Sequence, residues 1–282
     1  VKHHLFDKRS LIIATMHEKE RVIAPLFESE FGVVCSVLKN LNTDVLGTFS
    51  GEVERVDDPM ATVRAKCLLA LKQSGADLVV ASEGSFGAHP EIFFAKANEE
   101  IVMLLDLKNG LEIVGKTLTT ETNFDGKEVG SWKELQDFAE SVQFPSHGLI
   151  LRDKQNGTSN LAKGITDWYT LESNFENFIS QYGSAWAETD MRAMYNPTRM
   201  QAIRLATEQL IENIKSLCPV CETPGFTACE TRSGLPCSLC SSPTRSIKSL
   251  QYNCSYCGFT EERARQDGKT SEDPMYCDIC NP

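Results

Sequence analysis

The sequence predicts an α/β fold, a mixed sheet flanked by helices, followed by a C-terminal double zinc-ribbon or zinc-knuckle module. Three observations carry that expectation. Short apolar runs alternate with helix-period segments from Leu11 to Ala81, and an Asn109-Gly110 pair separates two further apolar runs. Eight of the eleven cysteines stand at Cys-x-x-Cys spacing beyond Leu217.

Residues 11–17 (LIIATMH) form a strand-length apolar run, after which Val22, Ile23, Leu26, Phe27 and Phe31 recur at helical spacing, so a strand feeds a helix over 18–31. A second strand is expected over 33–38. The next helix runs over 59–74, with Asp57 or Asp58 as cap and Pro59 in the first turn. The run 76–81 (ADLVVA) reads as a buried strand, giving β-α-β-α-β and a substantially parallel sheet. From 91 to 122 the Asn-Gly turn predicts an antiparallel hairpin joined to the same sheet. Ser131 and Glu134 form a capping-box pattern for a helix ending near Val142, and Pro145 closes that segment. One more strand is expected over 148–152, and helices over 171–181 and 197–217. The cysteines alone set the domain boundary, residues 1–217 against 218–282.

With 41% hydrophobic and 24% charged residues, the chain is ordinary for a globular protein. No apolar run approaches the roughly 20 residues needed to cross a bilayer, and residues 1–9 lack a signal-peptide core, so a cytoplasmic location is expected. Twenty-eight Lys and Arg against 39 Asp and Glu give a net charge of −11, which opposes a broad grip on nucleic-acid phosphates.

The cysteine pairs are Cys218/Cys221, Cys237/Cys240, Cys254/Cys257 and Cys277/Cys280. A two-residue spacer aims both sulfurs of a knuckle at one ion, and two knuckles complete a tetrahedral four-sulfur site, so two structural zinc ions are expected. Iron–sulfur ligation is the alternative, but its usual signatures are compact, unequally spaced runs. Four knuckles can pair sequentially, interleaved or nested. The stretch CSLCSSPTRSIKSLQYNCSYCG resembles a zinc ribbon and favours Cys237, Cys240, Cys254 and Cys257 on one ion, leaving Cys218, Cys221, Cys277 and Cys280 for the other. From Cys218 onward, 6 Lys and Arg face 8 Asp and Glu, which favours a metal staple over nucleic-acid recognition. Cys229 is read as a non-ligand, and Cys35 and Cys67 as core.

Polar segments at strand ends are the candidate ligand contacts, because open α/β sheets bind ligands beyond the carboxyl ends of their strands. Residues 15–19 (TMHEK) and 82–87 (SEGSFG) fit, and 48–52 (TFSGE) forms a third loop. Ordinary turn and capping chemistry accounts for the same residue types. The span 188–200 (ETDMRAMYNPTRM) gathers Glu188, Asp190, Arg192, Asn196 and Arg199. Asn196 and Pro197 suit a helix start, while Arg192 and Arg199 suit bidentate phosphate recognition. His17, His89 and His147 stand alone and read as turn or satisfied polar residues.

ATMHEK, ATVRAKC and ADLVVASEGSFG resemble, in order and placement, elements of the house-cleaning nucleoside-triphosphate pyrophosphatases, the inosine-triphosphatase and Maf-like group. That resemblance covers about the first 125 residues, and Met16 stands where the group has Asn. It implies a nucleotide ligand, phosphate contacts at Thr15 and Lys19 and, more loosely, at Lys66, and a Glu83 carboxylate serving Mg²⁺ or acting as general base. LGTFSGEVER, TETNF, FPSHGLILR, ETDMRAMYNPTRM and DPMYCDICNP resemble a group of uncharacterised bacterial proteins ending in the same zinc-knuckle tail, over nearly the whole chain. The functional expectation is a Mg-dependent nucleotide phosphohydrolase with Lys19 and Glu83 catalytic and Thr15, Lys66, Ser82, Arg192 and Arg199 on the phosphates. The alternative is a non-enzymatic adaptor that binds nucleic acid or protein through a face around Arg245, Lys248, Tyr252 and Tyr256.

Overall fold

The computed structural model describes residues 5–38, 41 and 58–282, so the segment 48–52 lies outside the described residues. Residues 1–211 and 212–282 form two compact units. In the first unit, one sheet has the order β2-β1-β3-β4-β5. Its strands are β1 (Ser10–Ala14), β2 (Val34–Val37), β3 (Leu78–Ala88), β4 (Lys96–Asp106) and β5 (Leu111–Thr119). β1 pairs in parallel with both β2 and β3, whereas β3, β4 and β5 run antiparallel. The sheet is therefore mixed, as the alternation followed by an Asn-Gly hairpin predicts.

Helix α1 (Glu20–Phe31) connects β1 to β2 on one side, and α2 (Pro59–Ser74) brings the chain back to β3 on the other side of β1. In open α/β sheets such a reversal, here between β1 and β3, is where ligands bind. Asp58 caps α2, its carboxylate accepting from the N–H groups of Met60 and Ala61. Val63, Cys67, Ala70 and Leu71 of α2 pack on Ile12, Ala14, Val79, Ala81, Ile101 and Met103. Strand alternation then assigns Ile13, Thr15, Val80, Ser82, Gly84, Glu100 and Val102 to the opposite face.

Residues 82–87 are not a strand-end turn. They continue β3, paired from Ser82↔Val102 to Gly87↔Ala97. The long β4 partner supplies hydrogen bonds along this whole stretch, so its small and polar residues stay extended despite weak strand propensity.

A second sheet, which the sequence reading did not separate from the first, has the order β6-β9-β7-β8. It comprises β6 (Gly126–Val129), β7 (Leu149–Arg152), β8 (Leu161–Ile165) and β9 (Ala185–Thr189). Helices α3 (Trp132–Ser141) and α4 (Trp168–Tyr182) cover it, burying Leu135, Phe138, Leu171 and Phe175 against Leu149, Leu151, Ala185 and Ala187. α3 carries the expected capping box between Ser131 and Glu134. Helix α5 (Pro197–Lys215) begins at Asn196, whose side chain accepts from the Arg199 N–H at 2.9 Å. It approaches β5 so closely that a Cβ on Gly115 would lie 2.7 Å from Leu210 Cα.

The second unit contains an antiparallel sheet of β10 (Thr227–Ser233), β11 (Ile247–Asn253) and β12 (Thr260–Ala264). Phe226 forms its small apolar centre with Cys218, Cys254, Tyr252 and Phe259. No helix among the described residues is long and apolar enough to cross a membrane.

Candidate functional site and metal centres

Ala14 of β1 pairs with Ala81 of β3, so the next residues, Thr15 and Ser82, sit side by side where β1 ends. Thr15 Oγ1 accepts from the His17 N–H at 3.2 Å and shapes the turn into α1. That turn carries Lys19 inward, where its ammonium donates to Ser82 Oγ at 2.9 Å; both side chains are buried. Burial first, and then the charge of Arg199, pull the Lys19 ammonium down to about 7, although Glu100 acts in the opposite direction. His17 is pushed down to about 3 by burial and by the charges of Lys19, Arg199, Arg192 and Lys66. Four of the cations singled out in the sequence therefore act on one imidazole.

The other three cations have carboxylate partners. Arg199 Nε donates to Glu100 Oε1 at 2.7 Å with both side chains fully buried, and another Arg199 N–H reaches the Met191 carbonyl. The guanidinium also lies 5.2 Å from the centre of the Phe86 ring. Arg192 forks onto Asp190 at 2.9 and 2.5 Å and stacks 4.6 Å from the Tyr195 ring centre. Lys66 forms a buried ion pair with Glu83. Lys19 alone among the four is held by a hydroxyl.

Alternation along β3 separates the candidates. Ser82 shares its face with Gly84 and, across the strand pair, with Glu100, which reaches Arg199. Glu83 points to the α2 face, where Lys66 holds it. The structure thus joins Thr15, Lys19, Ser82 and Arg199 on one side of the sheet and Lys66 with Glu83 on the other. Arg192 belongs to the loop after β9 and acts on His17 electrostatically. Glu100 and Gly84 are functional neighbours that sequence reasoning missed. A Cβ on Gly84 would lie 2.7 Å from Glu100 Oε2, so only glycine leaves room for that carboxylate. Glu100 stands next to the apolar run 101–105 and carries no local signal of its partner.

The lone histidines away from this cluster hold turns. His89 Nδ1 accepts from the N–H groups of Glu91 and Ile92, and His147 lies between Ser146 and Thr198. Asn123 Oδ1 accepts from Asn196 Nδ2 at 2.8 Å and supports the start of α5.

In the second unit the knuckles pair in an interleaved order, Cys218, Cys221, Cys254 and Cys257 in one group and Cys237, Cys240, Cys277 and Cys280 in the other. The nested arrangement expected from the ribbon-like stretch is corrected. The seven-residue β11 stands between Cys240 and Cys254 and places those knuckles at opposite ends of a strand roughly 20 Å long. β10 returns the first knuckle to the third, with Thr227 opposite Asn253. A bridge between Cys237 and Glu272 helps bring the fourth knuckle to the second.

The sulfur geometry fits zinc. Cys218–Cys257 and Cys221–Cys254 are 3.7 and 3.6 Å apart; Cys237–Cys280 and Cys240–Cys277 are 3.9 and 3.6 Å apart. A tetrahedron with Zn–S bonds near 2.3 Å requires edges of about 3.8 Å. In each knuckle the N–H four residues after the first cysteine donates back to that cysteine's carbonyl, for example Glu222 to Cys218 and Ser241 to Cys237. Hydrogen bonding with Thr223 pulls the Cys221 thiol down to about 6 and that with Ser242 does the same for Cys240, while Cys257 and Cys280 in the same two groups are pushed up to about 12. Cys229 is exposed, outside both groups, with its thiol donating to the Gln251 carbonyl.

Fold and sites together define an α/β protein with a buried cluster of basic side chains and a C-terminal module of two four-cysteine centres that could hold zinc ions. The chain belongs to the family described as Domain of unknown function (DUF6671), whose model matches residues 66–282. The match includes all eight ligand cysteines and Ser82, Glu83, Glu100, Arg192 and Arg199, and it begins after Thr15, His17 and Lys19. No curated protein matches the sequence.

Proposed function

We propose that the first unit binds a phosphorylated small molecule, with a nucleotide as the favoured class, and cleaves its phosphoanhydride. The observation that carries this reading is Lys19, a buried amine held by the Ser82 hydroxyl instead of a carboxylate, beside β1, where the mixed sheet reverses direction. With a hydroxyl and not a carboxylate as its partner, the Lys19 amine can turn an N–H to an incoming phosphate oxygen. Arg199 and Arg192 add positive potential from fixed positions, so little reorganisation is needed as charge develops on the phosphate. Mg²⁺ enters this reading as the counter-ion of the nucleotide's phosphates, because the Glu83 carboxylate already holds Lys66. Zinc in the second unit is structural, since four protein sulfurs fill its tetrahedron. Titration with nucleoside triphosphates by calorimetry, in wild type and Lys19→Met, tests the reading. Binding that Lys19→Met loses supports it, and equal binding by both proteins overturns it.

A second reading, that the zinc module is an adaptor for a protein partner, has its own observation. Val220, Leu239, Tyr256 and Ile279 occupy the same spacer position in the four knuckles, and all are exposed. The basic face proposed for nucleic acid is less open to it. Arg245 pairs with Asp278 at 3.1 Å, and Tyr252 lies beneath Arg263, 4.5 Å from its ring centre. Each zinc–tetrathiolate centre would also add net negative charge. Salt-sensitive capture of mixed single-stranded nucleic acid by residues of this module would favour the nucleic-acid form of the adaptor.

A further inference from the structure

We infer that Ser82 is a nucleophile and Lys19 its general base, so that the first unit cleaves a phosphoanhydride through a phosphoseryl intermediate. The identity of the electrophile rests on the phosphate-binding reading above; the pairing of nucleophile and base rests on the geometry. Lys19 Nζ and Ser82 Oγ are 2.9 Å apart, within the range over which a proton passes directly between heavy atoms. Both side chains are at least nine-tenths buried. Ser82 is fixed in mid-sheet by pairing to Val102, so its hydroxyl has a defined direction, and it stands beside the carboxyl end of β1.

A lysine can serve as base only when neutral near working pH, and the surroundings of Lys19 provide that condition. The groups acting on it are Arg199 from α5, Lys66 from α2, Glu83 from β3 and Glu100 from β4, with His17 in the preceding turn. Burial is the largest influence and brings the ammonium to about 7. His17, at about 3, stays neutral through the same range and does not compete for the proton.

In the first step Ser82 Oγ forms a bond to phosphorus while the bridging P–O bond breaks, and the hydroxyl proton passes to Lys19 Nζ. The departing phosphate oxygen takes that proton from Lys19 and leaves, which returns the amine to its neutral form. In the second step water attacks the phosphoseryl phosphorus, a water proton moves to the neutral amine, and the P–Oγ bond breaks. Ser82 recovers a proton from Lys19. The sum is phosphoanhydride plus water giving two phosphate products, with no redox partner.

The test uses the full-length zinc-loaded protein and a small fluorophosphonate, which modifies activated serines by displacement of fluoride and requires no knowledge of the natural substrate. Intact mass and peptide mapping should show one adduct at Ser82, with a labelling rate that rises through about pH 7 as Lys19 loses its proton. Ser82→Ala should remove the adduct, and Lys19→Met should slow labelling at least about 100-fold, a typical general-base contribution. Ser82→Cys, of nearly the same size, should react with iodoacetamide on a pH profile that Lys19→Met shifts upward, which keeps the test valid if either other variant folds poorly. Absence of a Ser82 adduct, or equal labelling rates in wild type and Lys19→Met, would overturn the assignment. Labelling at Ser82 without nucleotide hydrolysis would retain the nucleophile and remove the phosphoanhydride. Hydrolysis that persists in Ser82→Ala would do the reverse.

Discussion

Arg199 and Glu100 form a fully buried ion pair, with Nε and Oε1 2.7 Å apart, that ties the first turn of α5 to the middle of β4. This pair fixes a charged group on the Lys19 face of the sheet. The same guanidinium acts electrostatically on Lys19 and His17, and its plane lies over Phe86. The fold and the site are therefore coupled through one contact.

Glu100→Gln should be strongly destabilising, because it leaves the Arg199 charge in the interior without its counter-charge. Losing one partner of a buried pair costs about 3–5 kcal/mol. Urea denaturation at fixed zinc concentration should show a loss of that size, and a loss below about 1 kcal/mol would mean that water already solvates the pair.

Two glycines should respond differently to alanine. At Gly84 the new Cβ meets the end of the Glu100 side chain, which can swing at the expense of its bond to Arg199; at Gly115 it meets the backbone of α5, which cannot. Overpacking typically costs about 1–3 kcal/mol. Gly84→Ala should fall in that range and Gly115→Ala at or above its top, as read by thermal and urea unfolding.

Stability should rise with pH across the Lys19 transition. Its folded-state value, about 7, lies below that of an exposed lysine, so between these values the unfolded chain binds the extra proton. The penalty for burying the ammonium is fully present below about pH 7 and fades toward pH 10. Wild type should therefore gain stability relative to Lys19→Met when both are compared at pH 6.5 and pH 9, and parallel behaviour of the two proteins would contradict the burial of a titrating lysine.

Interleaved pairing of the knuckles has a distinct signature in double variants. Cys218→Ser with Cys254→Ser removes two ligands of one centre and should leave one zinc per chain. Cys237→Ser with Cys254→Ser removes one from each and should leave none tightly bound. The nested arrangement reverses these outcomes, so metal analysis by mass spectrometry separates them.

Much of this was legible in the sequence where local chemistry decides the structure. Asp58 with Pro59, the Ser131–Glu134 capping box, the Asn109-Gly110 hairpin and the Asn196-Pro197 helix start each appear as their residue types require. The eight cysteines of the two metal-binding groups followed from spacing alone. The pairing of the knuckles did not, since it depends on which end of β11 each knuckle occupies, a property of strand length and return path. The continuation of β3 through SEGSFG was hidden for a related reason, because its stability comes from β4 across the sheet. Glu100 entered no motif, yet its buried carboxylate faces the arginine ninety-nine positions away. Nothing local announces such a pair.

The most direct test of the account is phosphate and pyrophosphate release from a panel of nucleoside triphosphates with Mg²⁺, by wild type and Lys19→Met of equal zinc content. The account predicts release by wild type from at least one member of the panel and a fall of about 100-fold or more in the variant. Undiminished release by Lys19→Met, or wild type that neither binds nor cleaves any nucleotide in the panel, would contradict it.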